Sequence, residues 1–186
     1  MDGRGPSRSR YAMHTVAPAP MEGWNTLPWQ RVQRPVFTRQ KRLYQASRRG
    51  DVRAVRTLQR LVRRSRSARL LAVRRVTQAN QGKKTAGVEG VKSLTPPPRL
   101  ALVDLWRRGP QAKPGRRVWS PTPDTTEPRP LGIPVMADRA LPALATAVLE
   151  PAGEARFEPN SDGFRPGRSG HDAIDALVTA LGHQAP

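Results

Sequence analysis

Almost all of the positive charge of this chain lies in one block, residues 31–84. The block holds 18 Lys and Arg and a single acidic residue, Asp51, so it carries +17 of the formal net charge of +19. Cations at this density repel one another unless an external polyanion neutralises them. The block therefore predicts a footprint for a nucleic acid phosphate backbone. The alternative interpretation is a surface that is merely highly soluble.

The remaining composition narrows the class of protein. No run of about 18 apolar residues is present, so no membrane-spanning helix is predicted. The arginines near the N-terminus are not followed by an apolar stretch, so no secretory signal is predicted. The chain has no Cys, which excludes disulfides and thiolate metal ligands within it. We expect a protein that associates with nucleic acid and not with a membrane, and a reducing compartment such as the cytoplasm is compatible with the absence of Cys.

Apolar residues recur at helical spacing through the basic block and predict three helices. The first covers 38–49 and ends at Gly50. The second, capped by Asp51, continues to about Arg66, and the third covers 67–76. The buried face of the second helix is predicted to comprise Val55, Leu58, Leu61 and Val62. Basic side chains on the other faces and in the loop that follows are the candidate RNA-binding residues: Arg53, Arg56, Arg60, Arg63, Arg64, Arg74, Arg75, Lys83 and Lys84.

A basic loop punctuated by glycines, residues 80–91, follows these helices. It superficially resembles a phosphate-binding loop, but it lacks the G-x-x-x-x-G-K-[ST] spacing, and no apolar strand leads into it. We therefore exclude nucleotide hydrolysis at this loop. A short helix is predicted over 99–108.

The second half of the chain is predicted to begin with a β-hairpin. Its strands start at Arg116 and at Arg129, and turn-rich residues join them. Asp138 is predicted to cap a helix over 139–149, and a last helix is predicted over 171–181. Together with the basic helices, this pattern predicts the α+β class.

Two carboxylates at the start of the last helix, Asp172 and Asp175, are the nearest approach to a metal site. Acidic residues in the first turn of a helix are usually explained by capping and by the helix dipole. We therefore predict no metal ligand and no catalytic residue in this chain.

In this order, the segments resemble the N-terminal part of group II intron reverse transcriptases and maturases. The segment 29–76 is similar to the N-terminal extension of that family, and 82–91 is similar to its basic loop. Residues 115–119, followed by 129–134, resemble the first polymerase block of the fingers. The sequence Gly-Phe-Arg-Pro-Gly-Arg-Ser at 163–169 resembles part of the second block.

The resemblance implies a basic helical extension followed by an incomplete fingers and upper-palm segment of a right-hand polymerase. The expected domains are a disordered leader over 1–23, a helical RNA-binding domain over 24–92, a linker with a short helix over 93–114, and a partial fingers and palm domain over 115–186. The resemblance places the metal-binding aspartates beyond the matched region, so the chain alone is expected to be inactive. Mg²⁺ is expected only for the complete family enzyme.

The resemblance also implies roles for individual residues. Arg129, with Arg117, is expected to face the phosphates of an incoming nucleotide. The expected template or primer contacts are Asn160, Phe164, Arg165 and Arg168. Thr122 stands where the family favours a Lys, which predicts weakened nucleotide binding.

The expected partners are group II intron RNA or an RNA/DNA template-primer, with a downstream reverse transcriptase fragment as a further candidate. Two other interpretations stay open from the sequence. The first is that the chain is a nonfunctional truncated remnant of the family. The second is that it is a general basic RNA-binding or chaperone protein.

Overall fold

The computed structural model describes residues 23–105, 112–121 and 127–182, and it is mainly helical with one small sheet. The elements are α1 (Trp29–Arg48), α2 (Val52–Arg64), α3 (Arg66–Arg74), α4 (Pro96–Leu105), β1 (Arg116–Ser120), β2 (Arg129–Ile133), α5 (Met136–Glu154) and α6 (Gly170–Gly182). Short helical turns cover Trp24–Thr26, Arg75–Ala79 and Gln81–Lys84. The predicted α+β class is confirmed at this coarse level. The leader, apart from its last residue, and Thr122 lie outside the described residues.

The junction between α1 and α2 forms as its sequence predicts. Gly50 has a φ of +72°, the left-handed conformation that glycine adopts at little cost, and its N–H donates to Ser47 O at 3.0 Å. The Oδ1 of Asp51 then accepts a hydrogen bond from Ala54 N at 2.9 Å and caps α2. This tight turn lays α2 back against α1.

Helix α1 begins nine residues earlier than predicted, at Trp29 instead of Thr38, and includes Pro35. A proline inside a helix removes a hydrogen bond and costs about 3 kcal/mol. Val32 and Val36 are buried one turn apart on either side of it, so the first turns of α1 are held by packing. The later start was predicted because Pro35 argues locally against a helix, and the burial of Val32 and Val36 cannot be read from the neighbouring sequence.

Helix α5 packs into the basic helical block. It contacts α1, α2 and α3, and its Leu144 and Val148 share a buried cluster with Val36, Val62 and Ala72. Two long-range hydrogen bonds add to this packing: Gln40 Nε2 donates to Ala147 O at 3.0 Å, and Ser47 Oγ donates to Ala152 O at 2.9 Å.

Two details of the predicted helices are wrong. Leu61 is 49% exposed, because α2 packs through Leu58 and Val62, and Leu61 lies about 80° around the helix from the centre of that stripe. Asp138 does not cap α5, because the helix starts at Met136, two residues before Asp138. Val135 and Met136 are both buried there. The carboxylate of Asp138 instead accepts a hydrogen bond from Lys113 N at 2.9 Å.

The two strands form the predicted antiparallel hairpin, with Arg116 opposite Ile133 and Ser120 opposite Arg129. The predicted last helix is confirmed as α6, which buries none of its residues. Helix α4 starts at Pro96, three residues before its predicted start, since prolines are tolerated in a first turn. None of the described helices combines the length and apolar character needed to cross a bilayer.

Candidate RNA-binding surface

The arginines of α2 form a ridge along its solvent face. At 100° per residue, Arg53, Arg56, Arg60 and Arg63 fall within an arc of about 80°, and Arg64 lies beside them. All five are exposed, because the opposite face of α2 is held against α1 by Leu58 and Val62. From Arg53 to Arg64 the ridge is about 16 Å long.

A groove of about 570 Å³ follows this ridge where α2 lies near α5. It is lined by Arg56, Gln59, Arg60, Arg63 and Val148. Three of these side chains are cationic and one is a neutral amide that can donate or accept hydrogen bonds. The groove therefore offers cationic donors around a concave surface, as an anionic polymer requires.

Within the described residues, the ridge has no internal counter-charge. The ion pairs found in the part of the chain that the structure describes, Arg165–Glu154 and Arg168–Asp162, both lie in or beside the loop before α6. No α2 arginine takes part in an ion pair within that part. Asp51, the one acidic residue of the basic block, is used to cap α2. The five guanidinium groups are thus available to an external anion.

The other predicted RNA-binding residues divide into free and engaged side chains. Arg75 and Lys84 are exposed. The guanidinium of Arg74 lies 4.4 Å from the centre of the Trp29 ring, and Lys83 Nζ donates a hydrogen bond to Gln78 O. Arg74 and Lys83 therefore help to hold the fold as well as adding positive charge.

The basic loop is clamped against the start of α5 by two side chains that sequence reasoning did not single out. Arg139 donates from Nη1 to Gly82 O and from Nε to Pro134 O, both at 2.8 Å. Glu89 Oε1 accepts a hydrogen bond from Met136 N at 2.9 Å. Glu89 and Met136 are 47 positions apart in the chain, and Gly82 and Arg139 are 57 positions apart. No spacing rule relates residues at such separations, so this clamp cannot be predicted from the sequence alone.

The hairpin separates two residues that were predicted to act together. Arg117 lies opposite Gly132, and Arg129 lies opposite Ser120. Paired residues share a face of an antiparallel sheet and successive residues alternate, so Arg117 and Arg129 project from opposite faces. Both are exposed. Their joint contact with one nucleotide stays a prediction that this geometry does not favour.

Arg165 braces the loop before α6. Its guanidinium makes hydrogen bonds of 3.0–3.2 Å to the Glu154 carboxylate, and Nη1 also donates to Glu158 O and Ser161 O. These hydrogen bonds to Glu154 raise the pKa of Arg165 above its usual value. With its side chain only 10% exposed, Arg165 is engaged within the protein. Its contact with a template stays a prediction.

The same loop presents the other three predicted template contacts. Arg168 Nη1 pairs with the largely buried Asp162 at 2.9 Å, and its side chain remains 39% exposed. Asn160 is exposed beside α6. Phe164 has a φ of +58° and is fully exposed, so it takes no part in the core of the described residues. A phenylalanine held in that conformation is strained, and its ring is directed into solvent.

Carboxylates do not gather in the described residues. Within 23–105, 112–121 and 127–182, no group of three or more His, Asp or Glu side chains is placed to hold a metal ion. Asp172 accepts hydrogen bonds from the backbone N–H and the hydroxyl of Ser169, at 2.6 and 2.8 Å, so the predicted capping role is confirmed. The two hydrogen bonds lower the pKa of Asp172.

Comparison with known proteins identifies the class. Residues 24–105, which include α1 to α4, match the family described as the N-terminal domain of reverse transcriptase. The chain is 34% identical over 142 residues to Maturase-like protein 1 of Euglena gracilis, which covers 74% of this chain and 30% of that protein. It is 37% identical over 131 residues to Protein YkfC of Escherichia coli (strain K12), covering 67% and 34% respectively.

A third relative is Group II intron-encoded protein LtrA of Lactococcus lactis subsp. cremoris, which is 36% identical over 70 residues, 38% of this chain and 12% of that protein. The chain thus spans about a third or less of the length of these relatives. These matches show that residues 24–105 are a reverse transcriptase N-terminal domain. The chain carries the N-terminal segment of a protein of the group II intron reverse transcriptase and maturase family.

Proposed function

We propose that this chain binds structured group II intron RNA through the α2 ridge and the adjoining groove. The observation that carries the proposal is the row of five exposed arginines, none of them in an ion pair within the described part of the chain, on a helix fixed by its own core. Arginine suits phosphate because its planar guanidinium can donate two parallel hydrogen bonds. The names of two relatives, a maturase-like protein and a group II intron-encoded protein, favour intron RNA as the polymer.

A rigid ridge is better suited to a folded RNA than a mobile basic tail. The turn at Gly50 and the cap at Asp51 fix the start of α2, and burial of Val62 fixes its far end. Side chains held in a fixed array lose less conformational entropy on binding than those on a flexible segment. The same array discriminates between RNA shapes, since only some phosphate arrangements fit it.

The test compares two triple variants of the full chain that remove equal charge. The ridge variant is Arg56→Gln, Arg60→Gln and Arg63→Gln, and the control is Arg31→Gln, Arg34→Gln and Arg42→Gln, at exposed positions of α1. Affinity for a group II intron RNA and for unrelated RNA of the same length is measured by filter binding. We expect the ridge variant to lose at least tenfold more affinity for the intron RNA than the control.

Equal losses in the two triple variants would show that only total charge matters and would reject the ridge as a specific surface. Equal affinity of the unaltered chain for both RNAs would favour the general basic RNA-binding or chaperone interpretation. A folded chain that binds neither RNA would favour the nonfunctional remnant.

The finer polymerase assignment is part of the same proposal. We propose that the hairpin and the loop before α6 correspond to a fingers and upper-palm segment, with Arg129 and the partly exposed Arg168 as the cations that it presents to a nucleic acid. Template-primer contact and a partnership with a downstream reverse transcriptase fragment follow from that correspondence, as does a cytoplasmic site of action. The chain alone is expected to extend no primer. Template-dependent synthesis by the purified chain with Mg²⁺ and deoxynucleotides would contradict this.

A further inference from the structure

One face of the β-hairpin carries an exposed tryptophan. Trp119, in β1, is 57% exposed and pairs across the hairpin with Pro130. Arg117 lies two residues earlier on the same face and pairs with Gly132. Strand geometry separates Trp119 from Arg117 by about 6.8 Å along the strand. An aromatic ring and a guanidinium therefore lie side by side on one surface.

Nothing in the described residues covers this face beside Gly132. A side-chain carbon placed on Gly132 would meet no other heavy atom within 4 Å. Because Gly132 has no side chain, the surface next to the indole is flat and open. Trp24, by contrast, is fully buried and lies 5.0 Å from the ring of the half-buried Trp29. Trp119 therefore differs from these two tryptophans, whose rings serve the core.

The distribution of side chains indicates the chemistry of the occupant. The branched aliphatic residues of the hairpin, Val118, Leu131 and Ile133, all lie on the other face, and Pro130 is the one aliphatic residue that the two strands place on the Trp119 face. A protein partner that docks by hydrophobic burial would find only Trp119 and Pro130 there. A nucleotide needs a ring against which its base can stack and a cation for its phosphate, and Trp119 and Arg117 supply both.

We propose that the Trp119 face, with Arg117, is a stacking platform for an unpaired base of a single-stranded nucleic acid. This inference rests on the proposed function, since it assumes that the chain binds nucleic acid. It adds that the stretch of substrate beside the hairpin is unpaired. The α2 ridge contacts the phosphates of a folded RNA, whereas Trp119 stacks against a base that is not paired.

The test uses the full chain with two ligands of equal length, a single-stranded oligouridine and a fully paired RNA hairpin. Trp119→Val removes the ring but keeps a residue that favours strands, and Trp119→Tyr keeps an aromatic ring. Stacking on an aromatic side chain predicts that Trp119→Val weakens oligouridine binding by about fivefold to 150-fold. Trp119→Tyr should retain most of the affinity, and binding of the paired hairpin should change less than twofold in both variants.

A second variant keeps the tryptophan and obstructs the surface beside it. Gly132→Leu places a side chain in the open space and should also weaken oligouridine binding while sparing the paired hairpin. This variant decides the matter if Trp119→Val does not fold, which circular dichroism would show.

Four results would overturn the inference, and the first three leave the proposed function standing. Unaltered oligouridine affinity in folded Trp119→Val, with normal binding of paired RNA by the parent chain, rejects the platform alone. Equal losses for paired and unpaired RNA reject its preference for single strands. A parent chain that self-associates in sedimentation, with Trp119→Val monomeric, assigns the face to a second copy of the chain instead. Failure of the parent chain to bind either RNA rejects the proposed function and the platform with it.

Discussion

The carboxylate of Glu89 accepts a hydrogen bond from the backbone N–H of Met136 at 2.9 Å, and so joins the basic loop to the first residue of α5. The N-terminal N–H groups of a helix have no partner within the helix, so a carboxylate at this position both satisfies a donor and interacts with the helix dipole. Gly87 allows this approach, since a Cβ there would lie 2.8 Å from Pro134 O. The loop that carries Lys83 and Lys84 is thereby tied to the helical core.

Loss of the Glu89 cap should weaken the whole helical core. We expect Glu89→Ala to lower the free energy of unfolding by about 1 kcal/mol, as the loss of a helix cap does. Urea denaturation followed by circular dichroism measures this change. Glu158→Ala removes the same charge at an exposed carboxylate and should change stability by no more than about 0.5 kcal/mol. Identical effects of the two substitutions would contradict the capping role.

The packing face of α2 can be tested with two leucines three residues apart. Leu58 is buried against α1 and Leu61 is 49% exposed. Leu58→Ala should cost about 2–5 kcal/mol of unfolding free energy, whereas Leu61→Ala should cost about 0.5 kcal/mol or less. The same urea titration serves for both. A larger loss at Leu61 would mean that α2 is rotated relative to the structure.

The rate of amide hydrogen exchange in each helix should depend on how well that helix is packed and not on its position in the sequence. We expect α5 to be protected together with α1, α2 and α3, because it shares their buried clusters. Amides of α6 should exchange quickly, since α6 buries no residue. Mass spectrometry of peptides from 136–154 and 170–182 makes the comparison. Fast exchange throughout α5 would contradict its place in the core.

Helix α6 should respond to pH through Asp172. Hydrogen bonds from Ser169 place the folded pKa of Asp172 below its unfolded value. The contribution of this cap is therefore present above the unfolded pKa and is lost as pH falls through the folded pKa. NMR shifts of 170–182 should report loss of helix as the pH falls from about 5 to about 2. Asp172→Asn should remove this pH dependence and Asp175→Asn should leave it in place.

The elements that sequence reasoning predicted well are those set by local chemistry. Gly50 and Asp51 mark the turn between α1 and α2, and Arg116 and Arg129 begin the two strands. The start of α1 and the cap of α5 were not predictable, because each depends on residues far away in the chain. Pro35 argues against a helix until burial of Val32 and Val36 is known, and Glu89 gives no sign that it serves Met136.

The candidate site was predicted in composition but not in arrangement. The arginines of α2 were identified from their density, and their exposure agrees with that prediction. Which cations are already engaged could not be read from the sequence: Arg165 pairs with Glu154, and Arg74 lies over Trp29. The opposite faces of Arg117 and Arg129 follow from the register, which only the paired strands define.

The salt dependence of RNA binding tests the central claim most directly. Each phosphate contact contributes roughly −0.7 to −0.9 to the slope of log affinity against log salt concentration. If the α2 ridge is the footprint, the variant with glutamine at positions 56, 60 and 63 should have a slope shallower by about 2 to 3 than the parent chain. The matched α1 control should change the slope by less than about 1. Equal slopes for the parent chain and the ridge variant, on the same intron RNA, would contradict the account.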